Sequence, residues 1–282
     1  MQKSPFDNIA PFYDELFSDT KIGMYLKQIV WKYLDENLSE DLSCHGTTPN
    51  KKLGAGVTPL NILEINCGTG IDAIYLAEKG HNVIATDQST GMIKTAQQKL
   101  IDVGSVNVIF QQMDIREIKN NFFDQQFDII FSNFGGLNCI DKNDIKKLGK
   151  DVKDILEPNG RIIATIMPPL SIWDFLYFLF IVDPLKGIKR LLSKPITAFI
   201  YESEVTVNYF SPHSFSKLLG DDFQIKKILP VGFFLPPTYL DNYFKKHSSV
   251  LKRLNKWENI ISKKSFLSNL SNHYLIDLQL KK

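Results

Sequence analysis

Residues 61–91 read NILEINCGTGIDAIYLAEKGHNVIATDQSTG, and their pattern is the strongest indication of the fold. An apolar run over residues 62–65 leads into a glycine-containing turn, and apolar residues then recur at helical spacing as far as Gly80, a residue type that often ends helices. A second apolar run, over residues 83–86, ends at Asp87. The order strand, turn, helix, strand predicts a βαβ unit, whose crossover is long enough to join two parallel strands.

The turn and its flanking acids favour a nucleoside-bearing ligand. Gly68 and Gly70 allow close approach to the backbone, and Asp87 suits two ribose hydroxyls. Dinucleotides and S-adenosylmethionine both fit such a unit. The dinucleotide fingerprint G-x-G-x-x-G requires a glycine where this chain has Ala73, and Glu64 would add like charge beside a pyrophosphate. An acid at position 64 instead suits a ligand that carries an ammonium and a sulfonium, so the residues favour S-adenosylmethionine.

The run Leu63-Glu64-Ile65-Asn66-Cys67-Gly68-Thr69-Gly70 resembles the first motif of class I S-adenosylmethionine-dependent methyltransferases, (D/E)-x-G-x-G-x-G, and Asp87 matches the acidic second motif. Asn66 stands where the family has its first glycine, and Asn tolerates left-handed backbone better than other non-glycine residues. The resemblance covers residues 60–167. It implies an α/β fold: a Rossmann-like, doubly wound, seven-stranded sheet, mostly parallel, with an antiparallel C-terminal hairpin and a helical lid insertion.

The resemblance also implies a set of cofactor-binding residues. An N-terminal helix with a Tyr-Asp pair closes over the cofactor in many relatives, and Asp114 would accept the adenine amino group beside the backbone of Ile115. Simple core packing of Tyr13 and a turn-capping Asp114 are the alternatives. The full set is Tyr13, Glu64, Asn66, Cys67, Gly68, Gly70, Asp87, Gln88, Met92, Asp114, Ile115 and Asn133.

A second polar stretch follows the apolar run over residues 127–131 and reads SNFGGLN. Ligands of open α/β sheets lie at the carboxyl ends of the strands, so the transferred methyl is expected here. Asn133 and Phe134 are candidate catalytic residues, and Asn138 is a candidate for orienting the substrate; a glycine-rich turn before a helix is the alternative interpretation of the stretch. His273 is the first choice of general base, ahead of His213 and His247. Trp173 and Tyr177 are further candidate substrate contacts in the aromatic lid.

Four segments are predicted along the chain: N-terminal helices with a mobile loop closing over the site (1–58), the cofactor-binding core (59–167), a helical lid (168–210) and the C-terminal part of the sheet (211–282). More locally, the pattern predicts a helix over 141–156, a turn at 157–160, helical runs at 171–182 and 184–193, a strand over 205–210 and a helix over 240–261.

The predicted activity is methyl transfer to a small, apolar or aromatic metabolite. Residues 132–135 lack the Pro-Pro pair of enzymes that methylate base amino groups, and the chain has no Pro-Cys pair of the cytosine carbon-5 type. RNA or protein acceptors are weaker alternatives, since basic residues interleave with aromatics after residue 240. A protein that binds cofactor or partner without turnover is the main alternative, supported by Asn66 and the absence of an evident base.

Charge is unevenly spread, although the net charge is only +2. Residues 1–160 hold 16 Lys and Arg against 22 Asp and Glu, and residues 161–282 hold 17 against 9. A solvated lysine-rich face explains this, and an anionic substrate or a peripheral contact with a membrane surface is the alternative.

Three cysteines without a pairing pattern and no recognisable signal peptide predict a cytoplasmic protein. No metal site is expected, because adjacent Cys44 and His45 have no third ligand nearby. The apolar run over 175–182 is too short to span a bilayer. The oligomeric state is left open.

Overall fold

A seven-stranded sheet forms the centre of the protein. The computed structural model describes residues 4–38, 58–104, 106–180, 195–200 and 203–281. The strands, in chain order, are β1 (Asn61–Ile65), β2 (Asn82–Asp87), β3 (Val108–Gln112), β4 (Phe127–Ser132), β5 (Leu156–Ile166), β8 (Phe223–Val231) and β9 (His273–Leu280), and their order in the sheet is β3-β2-β1-β4-β5-β9-β8. Strands β1 to β5 pair in parallel, while β9 pairs antiparallel with both β5 and β8. This arrangement confirms the predicted fold class.

Helices cover both faces of the sheet. They are α1 (Lys21–Leu38), α2 (Ile71–Glu78), α3 (Thr90–Val103), α4 (Ile118–Phe122), α5 (Lys142–Lys153), α6 (Ile172–Phe180), α7 (Pro212–Leu219), α8 (Asp241–Lys246) and α9 (Ser248–Ile261). One apolar cluster joins one face of the sheet to α1, α2 and α3, and a second cluster joins the other face to α4, α5 and α7. A parallel sheet buried on both faces explains why its strands read as nearly continuous apolar runs.

Polar side chains fix where several helices begin. The Ser89 hydroxyl accepts a hydrogen bond from the Met92 backbone N–H at 3.1 Å. Asp141 and Ser211 cap α5 and α7 in the same way. Each cap satisfies backbone donors that the first helical turn leaves unpaired.

The structure corrects several predicted boundaries. Helix α5 ends at Lys153, and residues 157–160 belong to an irregular start of β5 rather than to a separate turn, with Asn159 in a left-handed conformation (φ 68°). The predicted helix over 240–261 is interrupted at His247, which separates α8 from α9.

The segment after β5 contains a hairpin that the sequence pattern does not predict. The predicted strand over 205–210 is observed as β7 (Ser203–Val207), and it pairs antiparallel with β6 (Ile196–Ile200) in a separate two-stranded sheet. Helix α6 corresponds to the first predicted helical run of the lid. The predicted second run at 184–193 and residues 39–57 of the predicted mobile loop, which ends at residue 58, lie outside the described residues.

No helix in the described ranges combines the length and the apolar character needed to cross a membrane.

Candidate active site

The turn after β1 is built by left-handed residues. Asn66, Gly68 and Gly70 have φ values of 58°, 55° and 77°. Asn66 therefore adopts the conformation that a glycine would supply, as its side chain permits. The extra side chain is accommodated by Gly136, because a Cβ added there would lie 2.4 Å from the Asn66 Cβ. The departure from the family motif is thus matched by a glycine on the neighbouring loop.

Asp87, at the end of β2, holds this turn against the next helix. Its carboxylate accepts the Ser89 N–H at 2.8 Å and the Gly68 N–H at 2.9 Å, one on each oxygen. Burial raises the pKa of Asp87, and the two backbone donors oppose that rise. Each oxygen keeps lone-pair capacity for a further donor such as a ribose hydroxyl.

The N-terminal segment is tied to the same turn and helix. Asp14 accepts a hydrogen bond from the Thr69 hydroxyl at 2.6 Å and pairs with Lys99. Asp7 accepts from the Ser89 hydroxyl at 2.6 Å and from the Gly91 N–H at 3.0 Å. These contacts hold Tyr13, which lies between the two acids in sequence, over the carboxyl ends of β1 and β2.

A cavity lies at this edge of the sheet. Seven of its lining residues are among those predicted from the sequence, namely Tyr13, Glu64, Asn66, Cys67, Gly68, Asn133 and Phe134. The others are Phe17, Ser18, Lys27, Thr69, Ile71 and Asp72. The structure therefore brings together residues from the N-terminal segment, the glycine turn and the loop after β4.

A buried polar network that the sequence did not single out borders the cavity. The Asp72 carboxylate accepts hydrogen bonds from Lys27 Nζ at 3.2 Å, Trp31 Nε1 at 2.6 Å and Asn133 Nδ2 at 3.0 Å. Lys27 and Asp72 are both buried. One signal was available: Lys27 falls on the apolar stripe of α1, where an uncompensated lysine would be unfavourable.

Glu64 is the most unusual group in the cavity. It is 1% exposed, and its Oε2 atom has no hydrogen-bond partner among the described residues. Burial is the main cause that raises the pKa of Glu64 well above its ordinary value; Asp72 raises it further, and Lys27 opposes the rise. The Asn66 Nδ2 atom is likewise buried without a partner in the described part of the chain. Buried polar atoms of this kind are costly unless a ligand pairs with them.

Aromatic rings close one side of the cavity. Phe134 has a φ of 45°, an unusual conformation for a bulky residue, and such strain is typical of functional sites. Its ring lies 5.2 Å from that of Phe17 and 5.4 Å from Lys27 Nζ. The His273 ring meets Phe134 edge-on, with centroids 5.4 Å apart, but His273 is not among the cavity-lining residues.

The predicted cofactor residues Gly70, Gln88, Met92 and Ile115 do not line the cavity. Gly70 is packed against Phe110, so that an added Cβ would approach the ring to 2.6 Å. Met92 is buried against the N-terminal segment, and Ile115 packs in the second apolar cluster. Gln88 is exposed, and its amide donates to Asp114 at 3.2 Å.

Asp114 has local partners in this structure. Its carboxylate accepts the Arg116 backbone N–H at 2.9 Å and pairs with the Arg116 guanidinium, which lowers the pKa of Asp114. This is the capping role that the sequence left as the alternative. Binding to adenine stays a prediction for Asp114.

The predicted substrate residues are not gathered at the cavity. Asn138 is fully buried, and its Nδ2 donates to the carbonyls of Met167 and Asn208, while its Oδ1 accepts the Met167 N–H. Both amide hydrogens are therefore used internally, and we do not carry Asn138 forward as a substrate contact. Neither Trp173 nor Tyr177 lines the cavity. Trp173 donates to the Phe233 carbonyl at 3.0 Å, and the Tyr177 ring lies edge-on to that of Tyr239.

Comparisons with known proteins agree with this geometry. A family model described as a methyltransferase domain matches residues 62–160. A putative methyltransferase of Bacillus subtilis, YqeM, is 41% identical over 162 residues, which make up 57% of this chain and 55% of the relative. A demethylmenaquinone methyltransferase of Clavibacter sepedonicus is 28% identical over 152 residues, 53% of this chain and 59% of the relative. The matches thus span little more than half of these curated relatives.

A solved structure has the same fold. An S-adenosylmethionine-dependent methyltransferase from Clostridium acetobutylicum superimposes with a TM-score of 0.57, covering 99% of this chain and 100% of that one. At 16% identity this likeness establishes the fold alone. The family model identifies residues 62–160 as a methyltransferase domain, and the sequence motif, the strand order and the relatives liken the chain to class I S-adenosylmethionine-dependent methyltransferases.

Proposed function

We propose that this protein binds S-adenosylmethionine and transfers its methyl group to a small, apolar or aromatic acceptor. The observation that carries the proposal is the buried Glu64 carboxyl, whose Oε2 has no partner among the described residues. A carboxylate in that position is costly without a cation and becomes favourable when an ammonium or a sulfonium lies beside it.

The residues present fit the cofactor. The cavity lining includes Glu64 and Asp72, against the single cation of Lys27, so the lining favours a positively charged ligand. Glu64 would hold the ammonium, and Asp87 would accept the ribose hydroxyls while it keeps Gly68 in place. When bound, S-adenosylmethionine supplies an electrophilic methyl group on a sulfonium.

The task of the protein is then mainly alignment and exclusion of water. Tyr13 and Phe134, which line the cavity, would contact the sulfonium and the acceptor, and Phe17 packs edge-on against Phe134. Holding the two reactants in line can lower the activation barrier by on the order of 7–11 kcal/mol, and it requires no protein nucleophile. Asn133 is oriented by its hydrogen bond to Asp72, and this fixes the loop that carries Phe134.

Two observations favour an apolar or aromatic acceptor. The site is bordered by the rings of Tyr13, Phe17 and Phe134. The Clavibacter relative is by name a methyltransferase of demethylmenaquinone, which is an apolar aromatic molecule. The aromatic lining would bury such a ring, as small-molecule sites commonly do.

Calorimetric titration tests the cofactor assignment. S-adenosylmethionine and S-adenosylhomocysteine are each titrated into the wild-type protein and into Glu64→Gln, with Glu36→Gln as the matched control because Glu36 is exposed on α1. The Glu64→Gln change should weaken binding by about tenfold to a hundredfold, the usual worth of a charged hydrogen bond, and Glu36→Gln should leave it unchanged. Equal affinities for the two variants would refute the role of Glu64, and a wild-type protein that binds neither compound would refute the proposal.

A further inference from the structure

The exposed side of α8, α9 and the turn after them carries charge of one sign. Residues 242–266 contain seven Lys and Arg, and their single acid, Glu258, is buried. Lys245 pairs with Asp241, and for the other six cations no ion-pair partner lies among the described residues. We call the exposed side chains of residues 242–266 the α8–α9 face.

The same face exposes five large apolar side chains. Tyr243, Val250, Trp257, Ile260 and Phe266 are between 44% and 73% exposed, with Ile260 the most exposed of them. A lysine-rich face that only interacts with water does not need such residues, and exposed apolar side chains among lysines are a feature of helices that lie in a lipid interface.

The helical positions explain how charge and apolar surface come together. Leu251 and Glu258 face the protein, so the opposite side of α9 presents Arg253, Lys256 and Ile260 to solvent. Lysine head groups on this side can reach lipid phosphates while the apolar side chains enter the acyl boundary. Trp257, half exposed, is of the residue type enriched at membrane interfaces.

A chain of hydrogen bonds and one ring contact connects the face to the candidate active site. The Glu258 carboxylate accepts four backbone N–H donors, from Gly232, Phe233, Phe234 and Leu235, at 2.6–3.1 Å. The Gly232 carbonyl in turn accepts the Asn272 N–H at 3.0 Å, and the next residue contacts Phe134. A lipid-bound α9 would therefore lie a few contacts away from the cavity.

We propose that the α8–α9 face docks onto the surface of a bilayer that contains anionic lipid. Single-stranded RNA is the competing partner for a basic surface with aromatic residues, but the aliphatic Val250 and Ile260 offer nothing to nucleobases. Lys also outnumbers Arg six to one in this segment, whereas Arg is favoured for planar recognition of nucleic acid. Docking does not require methyl transfer, so the two proposals can be tested independently. If the apolar acceptor is dissolved in the membrane, docking would bring the active site to its acceptor.

Vesicle co-sedimentation of the full chain tests the charge requirement. We expect binding to vesicles of equal parts phosphatidylcholine and phosphatidylglycerol, little binding to phosphatidylcholine alone, and release at high salt. The variant Lys252→Ala/Lys256→Ala should bind about thirtyfold more weakly, because each lysine near an anionic surface contributes about a factor of five. The control Lys146→Ala/Lys150→Ala removes the same charge from the exposed side of α5 and should bind like wild type.

A second pair of variants tests the apolar requirement. Ile260→Ser should weaken vesicle binding about tenfold, as expected for partial burial of one aliphatic side chain. Ile101→Ser is the matched control, because Ile101 on α3 is also 73% exposed. Absence of binding to anionic vesicles, or equal losses in a variant and its control, would overturn the proposal. A loss of RNA-oligonucleotide binding in the α9 variants, with vesicle binding unchanged, would assign the face to RNA instead.

Discussion

Replacing Gly136 by Ala should destabilise the protein through one identified collision. The added Cβ would lie 2.4 Å from the Asn66 Cβ and 2.8 Å from its Cγ and Nδ2 atoms, where an ordinary carbon contact is about 3.5–4.0 Å. The loop after β4 or the turn after β1 must therefore move by about 1 Å. Overpacking of this size costs about 1–3 kcal/mol, which corresponds to a fall in Tm of about 2–10 °C for a chain of this length.

The change Asn66→Gly should rescue Gly136→Ala. Glycine removes the colliding side chain and suits the left-handed backbone at position 66. Alone, Asn66→Gly should be nearly neutral, within about 1 kcal/mol, because relief of backbone strain offsets the lost contacts. The double variant should then recover most of the loss, giving an interaction free energy of about 1–2 kcal/mol.

Urea unfolding of the four proteins, with affinity for S-adenosylhomocysteine as a second readout, measures this interaction. Gly160→Ala is the control, because its added Cβ would meet Glu157 and Leu156 rather than Asn66. Combined with Asn66→Gly, the control should show simple additivity. If the changes in free energy of unfolding for Gly136→Ala and Asn66→Gly were also additive, Gly136 would not be the residue that accommodates the Asn66 side chain.

Three further changes have predictable consequences. Glu64→Gln should stabilise the ligand-free protein near neutral pH, because the raised pKa of Glu64 in the folded state makes the wild-type protein lose stability as pH rises from the ordinary carboxyl pKa towards the raised one. Urea unfolding across that pH range should therefore show a shallower fall in the free energy of unfolding for the variant. An equal fall in the two proteins would contradict the raised pKa. Lys27→Met should lower the free energy of unfolding by about 3–5 kcal/mol in urea, because Asp72 would keep a buried charge without its cation. Adding Asp72→Asn should recover part of this loss, and no recovery would argue against the Lys27–Asp72 ion pair. Glu258→Ala should speed hydrogen exchange of the amides of residues 232–235, which lose their acceptor, and unchanged exchange would show that the loop holds its shape unaided.

The fold was predictable because its signals are local. The alternation of apolar runs and turns along residues 61–91 predicts β1, α2 and β2. Strand β7 was predicted, but its partner β6 was not, since a short apolar run is compatible with either a strand or a helix.

The predicted cofactor-binding residues were easier to find from the sequence than the buried polar network around Asp72. Glu64 and Asn66 belong to one contiguous motif, whereas the contact between Lys27 and Asp72 joins residues 45 positions apart. Such a contact depends on how α1 packs against α2, which no local pattern specifies. The internal hydrogen bonds of Asn138 were not predictable for a related reason, because its partners Met167 and Asn208 lie 29 and 70 positions further along the chain.

The proposed transfer of a methyl group to an apolar or aromatic acceptor is tested most directly by measuring the transfer itself. Purified protein is incubated with methyl-labelled S-adenosylmethionine and either a hydroxynaphthoquinol-type aromatic acceptor or a polar acceptor of similar size, and label is measured in the recovered acceptor, with Glu64→Gln as the reference. We predict label in the aromatic acceptor, little label in the polar one and a large loss of transfer in the Glu64→Gln variant. Tight cofactor binding without transfer to any aromatic acceptor would contradict it and favour a protein that binds the cofactor without turnover.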